Sequence, residues 1–417
     1  MKTRLSPSPS RHTAVAAVSQ QQLRALFGGV LYPAQKQVSS NSWRPCLART
    51  ICPRFGGYGT RVVPRRSQSS VVPPISSFSY RISASYSAKG KQFEPDTNVF
   101  SFNAHTRIQP TALNIEGASD KRRHRPASGE DAFFISRVGE TGDVAVGIAD
   151  GVGGWAESGV DPADFSHTFC DYMASAAYKF KENSQLKSLT PRELMQTGYQ
   201  EIVEDDSIVA GGSTACVGVA RKDGTLEVAN LGDSGFVHLR SNAVHHFSSP
   251  QTHAFNTPYQ LSIISAKLLA QTAAYGGTYF HDSPNDAIVS NHTLRHGDVL
   301  VFGSDGVWDN LSAHDTLRIV SQRMIEKGAW ESGNSGVAVG EGLERLTDQG
   351  ESSEGRHLTL QSTLAVAVAA HAKVASLNTK IDGPFAKEVH RLYPEETYHG
   401  GKVDDICVVV LLVLEDK

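Results

Sequence analysis

Short runs rich in Val, Ile and Phe, bounded by Gly and Asp, recur from Asp131 to the end of the chain. Asp131–Arg137, Asp143–Ala149, Ser213–Ala220, Leu226–Leu231, Phe236–Arg240, Val299–Gly303 and Ile406–Leu414 are the strand candidates. A helical rhythm separates some of them. In Asp164–Lys181, Phe165, Phe169, Tyr172, Met173 and Ala176 fall at i, i+4, i+7, i+8 and i+11, which is one apolar face. Thr190-Pro191-Arg192-Glu193 opens a second helix, with proline at the first helical position and a Thr-x-x-Glu capping box. Ser312-Ala313-His314-Asp315 opens a third, carrying Leu317, Val320 and Met324 and ending at Gly328. The turns Lys222-Asp223-Gly224 and Gly232-Asp233-Ser234-Gly235 are short, so the strands they join read as antiparallel hairpins rather than βαβ units. The pattern predicts an α+β domain. Residues 331–356, rich in Gly, Ser and Glu, are expected to form a flexible insertion.

The first ninety residues share none of this order. Met1–Lys91 holds 14 Lys and Arg and no acid, leaving 26 basic and 43 acidic residues in the remainder. The overall net charge of −3 therefore hides a basic leader before an acidic domain. Arginine, serine and proline dominate the leader, and only Leu23, Leu26, Phe27 and Val30 fall at helical spacing. That composition fits an organelle transit peptide and lacks the apolar core of a secretory signal. The division expected is residues 1–91 as a disordered basic transit peptide and 92–417 as one folded domain, addressed to the mitochondrial matrix. Serine richness leaves a plastid address open, and a basic tail that binds nucleic acid is a further alternative. The acidic domain would repel phosphate backbones, which argues against a nucleic-acid partner. The longest apolar run, Ile406–Leu414, is nine residues, far below the roughly 20 that a membrane-spanning helix needs. Five cysteines without C-x-x-C spacing argue against a disulfide scaffold or a zinc ribbon.

The chemistry-bearing pattern lies at the strand ends. Glu130-Asp131 opens one strand, and Asp150-Gly151 closes the next. Val301-Phe302-Gly303-Ser304-Asp305-Gly306 repeats the plan, and Asp404-Asp405 leads into the apolar run from Ile406. Four acidic clusters brought together without compensating Lys or Arg would repel one another. Oxygen-rich donor sets of this kind suit Mg²⁺ or Mn²⁺, and few nearby His or Cys argue against zinc. A single Asp-Gly after a strand is by itself an ordinary turn, and Asp223-Gly224 needs no other reading.

In this order and context the segments resemble the metal-dependent protein phosphatases of type 2C, from about Thr111 to Leu414. Gly212-Ser213-Thr214-Ala215 and Asn230-Leu231-Gly232-Asp233-Ser234 add to the likeness. Its mitochondrial branch is suggested by Gly129-Glu130-Asp131, Asp150-Gly151-Val152-Gly153-Gly154-Trp155 and Asn256-Thr257-Pro258-Tyr259-Gln260-Leu261. The resemblance implies a four-layer sandwich of two central antiparallel β-sheets flanked by α-helices, with a binuclear Mg²⁺ or Mn²⁺ centre at one end. Carried over, Asp150 bridges two ions, the Gly151 carbonyl binds one, Asp305 and Asp404 complete the other, Glu130 holds coordinated water, and Asp131 orients it. The activity implied is hydrolysis of phosphoserine and phosphothreonine by activated water. The partners implied are phosphoprotein substrates of mitochondrial metabolism, met by a monomer.

Two departures qualify the likeness. Val152 stands where the family commonly has histidine, which keeps a catalytically silent phosphoprotein-binding scaffold as the alternative function. A hydrolase of small phosphoesters is the third. The phosphate-binding arginine falls within Lys121-Arg122-Arg123-His124-Arg125-Pro126, where Arg125 is preferred over its neighbours.

Overall fold

The computed structural model describes residues 77–102, 125–181, 188–266, 268–270, 280, 282–333, 336–348 and 358–416. Two antiparallel sheets carry the fold. The first has six strands in the order Val99–Phe102, Ser77–Ser87, Ile406–Asp416, Val299–Gly303, Gly235–Arg240 and Ala243–Phe247. The second has five, in the order Ile288–Thr293, Thr225–Leu231, Ala215–Ala220, Val144–Asp150 and Asp131–Arg137.

Side-chain alternation explains why the sheets stack. Along the C-terminal strand, Cys407, Val409, Leu411 and Val413 face the second sheet, where Ile135, Val146, Ile148, Cys216 and Val228 meet them. Val408, Val410, Leu412 and Leu414 face the other way, into a core shared with the helices Ala313–Glu326 and Leu360–Ser376. The run reads as continuously apolar because both of its faces are buried. On the outer face of the second sheet, Ala145, Ala149, Val217 and Val219 pack against Phe165, Phe169 and Met173 of the helix Pro162–Lys179. Leu194, Met195 and Ile202 of the helix Pro191–Glu204 complete that layer. The order of layers is helix, sheet, sheet, helix.

The expected helices form with the caps their sequences specify. Thr190 and Glu193 make the reciprocal capping box, as do Ser312 and Asp315. The expected strand Ser213–Ala220 is broken at Thr214. Gly211–Ser213 pairs with Leu261–Ile263, while Ala215–Ala220 stays in the five-stranded sheet.

Two boundaries need correction. The basic leader was expected to run to residue 91, but Ser77–Ser87 is a strand of the six-stranded sheet, paired along its whole length with Ile406–Asp416. Its serines disguise it. Ser83 and Ser85 are buried, and their hydroxyls donate to the carbonyls of Phe100 and Asn98, both at 2.7 Å. A hydroxyl satisfied in this way removes most of the cost of burying it. Tyr80, Ile82 and Ala84 meanwhile point into the core between the sheets. The rest of the leader, residues 1–76, lies outside the described residues.

The flexible insertion expected over 331–356 is folded where it is described. Trp330–Gly333 and Gly336–Val339 form a hairpin, followed by the short helix Leu343–Thr347. Trp330 is fully buried, with its indole N–H donating to the Gly297 carbonyl at 3.1 Å, and Leu343 joins the same core. Residues 334–335 and 349–357 lie outside the described residues.

A chain beginning at residue 92 therefore lacks a central strand. Burial of Ile82 alone stabilises by about 1.5–3 kcal/mol, against a typical total of roughly 5–15 kcal/mol for a domain. Circular dichroism melts should show cooperative unfolding for a chain that keeps the strand Ser77–Ser87, and none for one starting at residue 92.

Candidate active site

Register alone gathers the acidic strand ends. Asp131 opens its strand directly opposite Asp150, which closes the neighbouring one. In the other sheet Gly303 pairs with both Gly235 and Val408. Asp233, Asp305 and Asp404-Asp405 therefore leave three adjacent strands at one edge.

Hydrogen bonds then stitch the two edges together. Ser304 Oγ donates to Asp131 Oδ2 at 2.6 Å, and the Glu130 N–H donates to Asp405 Oδ2 at 2.8 Å. The Asp150 N–H donates to Thr214 Oγ1 at 3.1 Å, and Thr214 Oγ1 lies 2.8 Å from Ser234 Oγ. The break at Thr214 is what frees that hydroxyl to face Asp150. Gly151 is needed for a close approach: a Cβ there would sit 2.8 Å from the Pro162 carbonyl oxygen and 2.9 Å from that of Glu130.

The electrostatics record the crowding. Burial, then the charges of Asp131, Asp305, Asp233 and Asp404, holds the Asp150 carboxyl well above the ordinary range. Asp131 is raised in the same direction by burial and by Asp405, against the hydrogen bond from Ser304. Burial with Asp405 and Asp404 pushes Glu130 up to about 7. Burial pushes Asp309 up to about 7 as well, with Lys402 opposing and Asp305 adding to the rise. Asp305 goes the other way: burial would raise it, but the charge of the Lys402 ammonium, its hydrogen bond and a hydrogen bond shared with Asp150 together hold it low.

These residues fit a hard divalent cation. The donors are all oxygens, several carboxylates share one edge, and Asp131 Oδ1 is buried with no hydrogen-bond partner. A cation already sits among them, since Lys402 Nζ lies 2.6 Å from both Asp305 Oδ2 and Asp309 Oδ2.

Comparison with known proteins agrees. A family model described as Protein phosphatase 2C matches residues 118–335. Protein phosphatase 2C homolog 7, mitochondrial, of Saccharomyces cerevisiae is 33% identical over 292 residues, covering 69% of this chain and 75% of its own length. The chain belongs to the protein phosphatase 2C family. Protein phosphatase PTC7 homolog fig of Drosophila simulans is similar too, 32% identical over 302 residues, 71% of this chain and 82% of its own. Among solved structures, the photosystem II phosphatase PBCP is 25% identical and covers 68% of this chain and 91% of its own, with a TM-score of 0.49. Membership of the protein phosphatase 2C family makes the protein a metal-dependent serine/threonine protein phosphatase.

Of the residues singled out in the sequence, Glu130, Asp131, Asp150, Gly151, Asp305 and Asp404 all lie at this acidic edge. Arg125 is engaged elsewhere. Its guanidinium pairs with Asp164 and lies 3.4 Å from Asp161 Oδ2, at the start of the helix Pro162–Lys179. Three further members were not recognised: Asp233, Asp309 and Lys402. Asp233 follows a strand end as the recognised acids do, and Asp309 lies four residues after Asp305 in the chain. Either pattern could have flagged them.

The raised carboxyls give a pH signature with a definite sign. Glu130 and Asp309 titrate near 7 when folded, against ordinary values of 4.5 and 3.8. Between those limits the folded state binds more protons than the unfolded, so this contribution is full at low pH and lost as pH rises through about 7. In chelator, Tm measured from pH 5 to pH 8 should fall more steeply in the wild type than in Asp309→Asn.

Proposed function

We propose that this phosphatase holds two Mg²⁺ or Mn²⁺ ions in the acidic edge and acts on phosphoproteins of the mitochondrial matrix. Asp150, the Gly151 carbonyl, Asp305 and Asp404 would hold the ions, and Glu130 and Asp131 would hold and orient water. When bound, the cations supply the positive charge that lowers the pKa of water and neutralises the phosphoryl oxygens. The protein's part is to hold the carboxyl groups rigidly at one place, which the strand ends do, with the Ser304 hydroxyl donating to Asp131, the Asp150 N–H donating to Thr214 Oγ1 and the Glu130 N–H donating to Asp405. The observation that carries this reading is the convergence of carboxyls from both sheets on a single edge.

The mitochondrial address is supported by the acid-free basic leader and by the printed name of the yeast relative. Protease protection of the tagged chain in fractionated mitochondria tests it: protection that survives rupture of the outer membrane alone supports the matrix, and loss of protection at that step contradicts it.

Turnover of a phosphothreonine peptide should require Mn²⁺ or Mg²⁺ and stop in chelator. Asp305→Asn should lower kcat by more than about 100-fold, the upper end of what loss of an outer-shell partner of a metal site costs. Turnover in chelator, or an unaffected Asp305→Asn, would sink the two-ion reading.

Arg125 is proposed to meet the phosphate of the substrate, exchanging its contact with the half-exposed Asp161. Arg125→Ala should then raise KM with little change in kcat. If the arginine only clamps the helix Pro162–Lys179, Tm falls and KM stays where it was.

A further inference from the structure

The acidic edge has a cation of its own, and it is seated rather than adrift. Lys402 Nζ contacts three carboxylates, at 2.6 Å to Asp305, 2.6 Å to Asp309 and 3.1 Å to Asp404. It donates hydrogen bonds to Asp305 and Asp309, and Asp404 is a third ion-pair partner. The side chain is only 16% exposed, and Nζ lies 5.2 Å from the centre of the Phe385 ring.

The backbone under Lys402 is fixed from both sides. Its N–H donates to Asn310 Oδ1 and its carbonyl accepts from Asn310 Nδ2, both at 2.9 Å. The Gly401 N–H donates to the Asn378 carbonyl at 2.8 Å, and the Gly400 N–H to Asp382 Oδ1 at 2.8 Å. Tyr398 Oη donates to the Gly401 carbonyl at 2.9 Å. The loop therefore delivers the ammonium to one place.

We propose that Lys402 is a built-in counter-ion that competes with a divalent cation for Asp305 and Asp404, and so sets the metal affinity of that side of the centre. The inference rests on the reading that these two aspartates hold a metal ion. The ammonium occupies Asp305 Oδ2 and Asp404 Oδ2, so a dication drawn to the same carboxylates competes with it for those oxygens and is repelled by its charge. On this proposal, metal loading weakens the hold of Lys402 on Asp305. Asp309 gives it somewhere to go: it lies one helical turn beyond Asp305, already accepts from Nζ, and is not among the proposed ligands. Without metal, the lysine offsets part of the repulsion among the acids. With metal, it stands aside on Asp309. The site thus trades some affinity for a fold that does not depend on being loaded.

Isothermal titration of the full chain with MnCl₂, after chelation and exchange, tests this with Lys402→Met, Lys402→Gln and Lys89→Met. Removing a charged hydrogen-bonding competitor should tighten Mn²⁺ binding by about 10-fold in either Lys402 variant. Their chelated forms should melt below the wild type. Lys89 also contacts Asp404, at 3.2 Å, but its side chain is 60% exposed. Its loss should change affinity by less than about 5-fold, as for a surface ion pair. Unchanged or weaker Mn²⁺ binding in the Lys402 variants that fold would overturn the inference while leaving the metal centre intact. Absence of Mn²⁺ binding in wild type and variants alike would overturn the metal reading and this inference with it.

Discussion

Like charges brought together in a partly dry place are the constraint on which the rest of this structure depends. Asp131, Asp150, Asp233, Asp305, Asp404 and Asp405 come from five different strand ends, and no one strand chooses their separation. The antiparallel registers do, by returning successive strands to the same edge of the sandwich. Repulsion among these carboxylates favours protonation or a cation. Most of the cluster shows the first response, as raised pKa values, while Asp305 beside Lys402 shows the second.

Such a site is costly to assemble, and the fold carries the cost in its core. Both faces of the C-terminal strand and of Val299–Gly303 beside it are buried in apolar contacts. That burial holds the acidic edge in place from below, and the hydroxyls of Ser304 and Thr214 hold it laterally. A site presented by rigid strand ends keeps its donors fixed as a phosphorylated residue arrives. In such a site, preorganised charge contributes more than it would in water.

The legible parts of the sequence were those where one physical rule acted alone. Apolar runs ending in Asp-Gly, capping boxes at Thr190 and Ser312, and the amphipathic face of Phe165 and Phe169 all follow from local pattern, and all formed. The strand Ser77–Ser87 escaped because its buried serines are satisfied by backbone partners seventeen and thirteen residues away, which local pattern does not reveal. The helix Leu360–Ser376 escaped for a related reason. It is apolar on nearly every side and rich in alanine, so no amphipathic rhythm marks it. At the site, each ligand candidate announced itself by its own strand end. Lys402 did not, because what matters about it is the company of Asp305 and Asp309, which are brought to it by tertiary structure.

The central claim is that carboxylates from both sheets form one cation-binding edge. Anomalous diffraction from crystals grown with Mn²⁺ tests it most directly. Two peaks should appear at this edge, with Asp150 in contact with both and Asp305 and Asp404 on one of them. Peaks confined to another cluster, such as Asp382, His390 and His399, or an acidic edge without any peak at saturating Mn²⁺, would contradict the account.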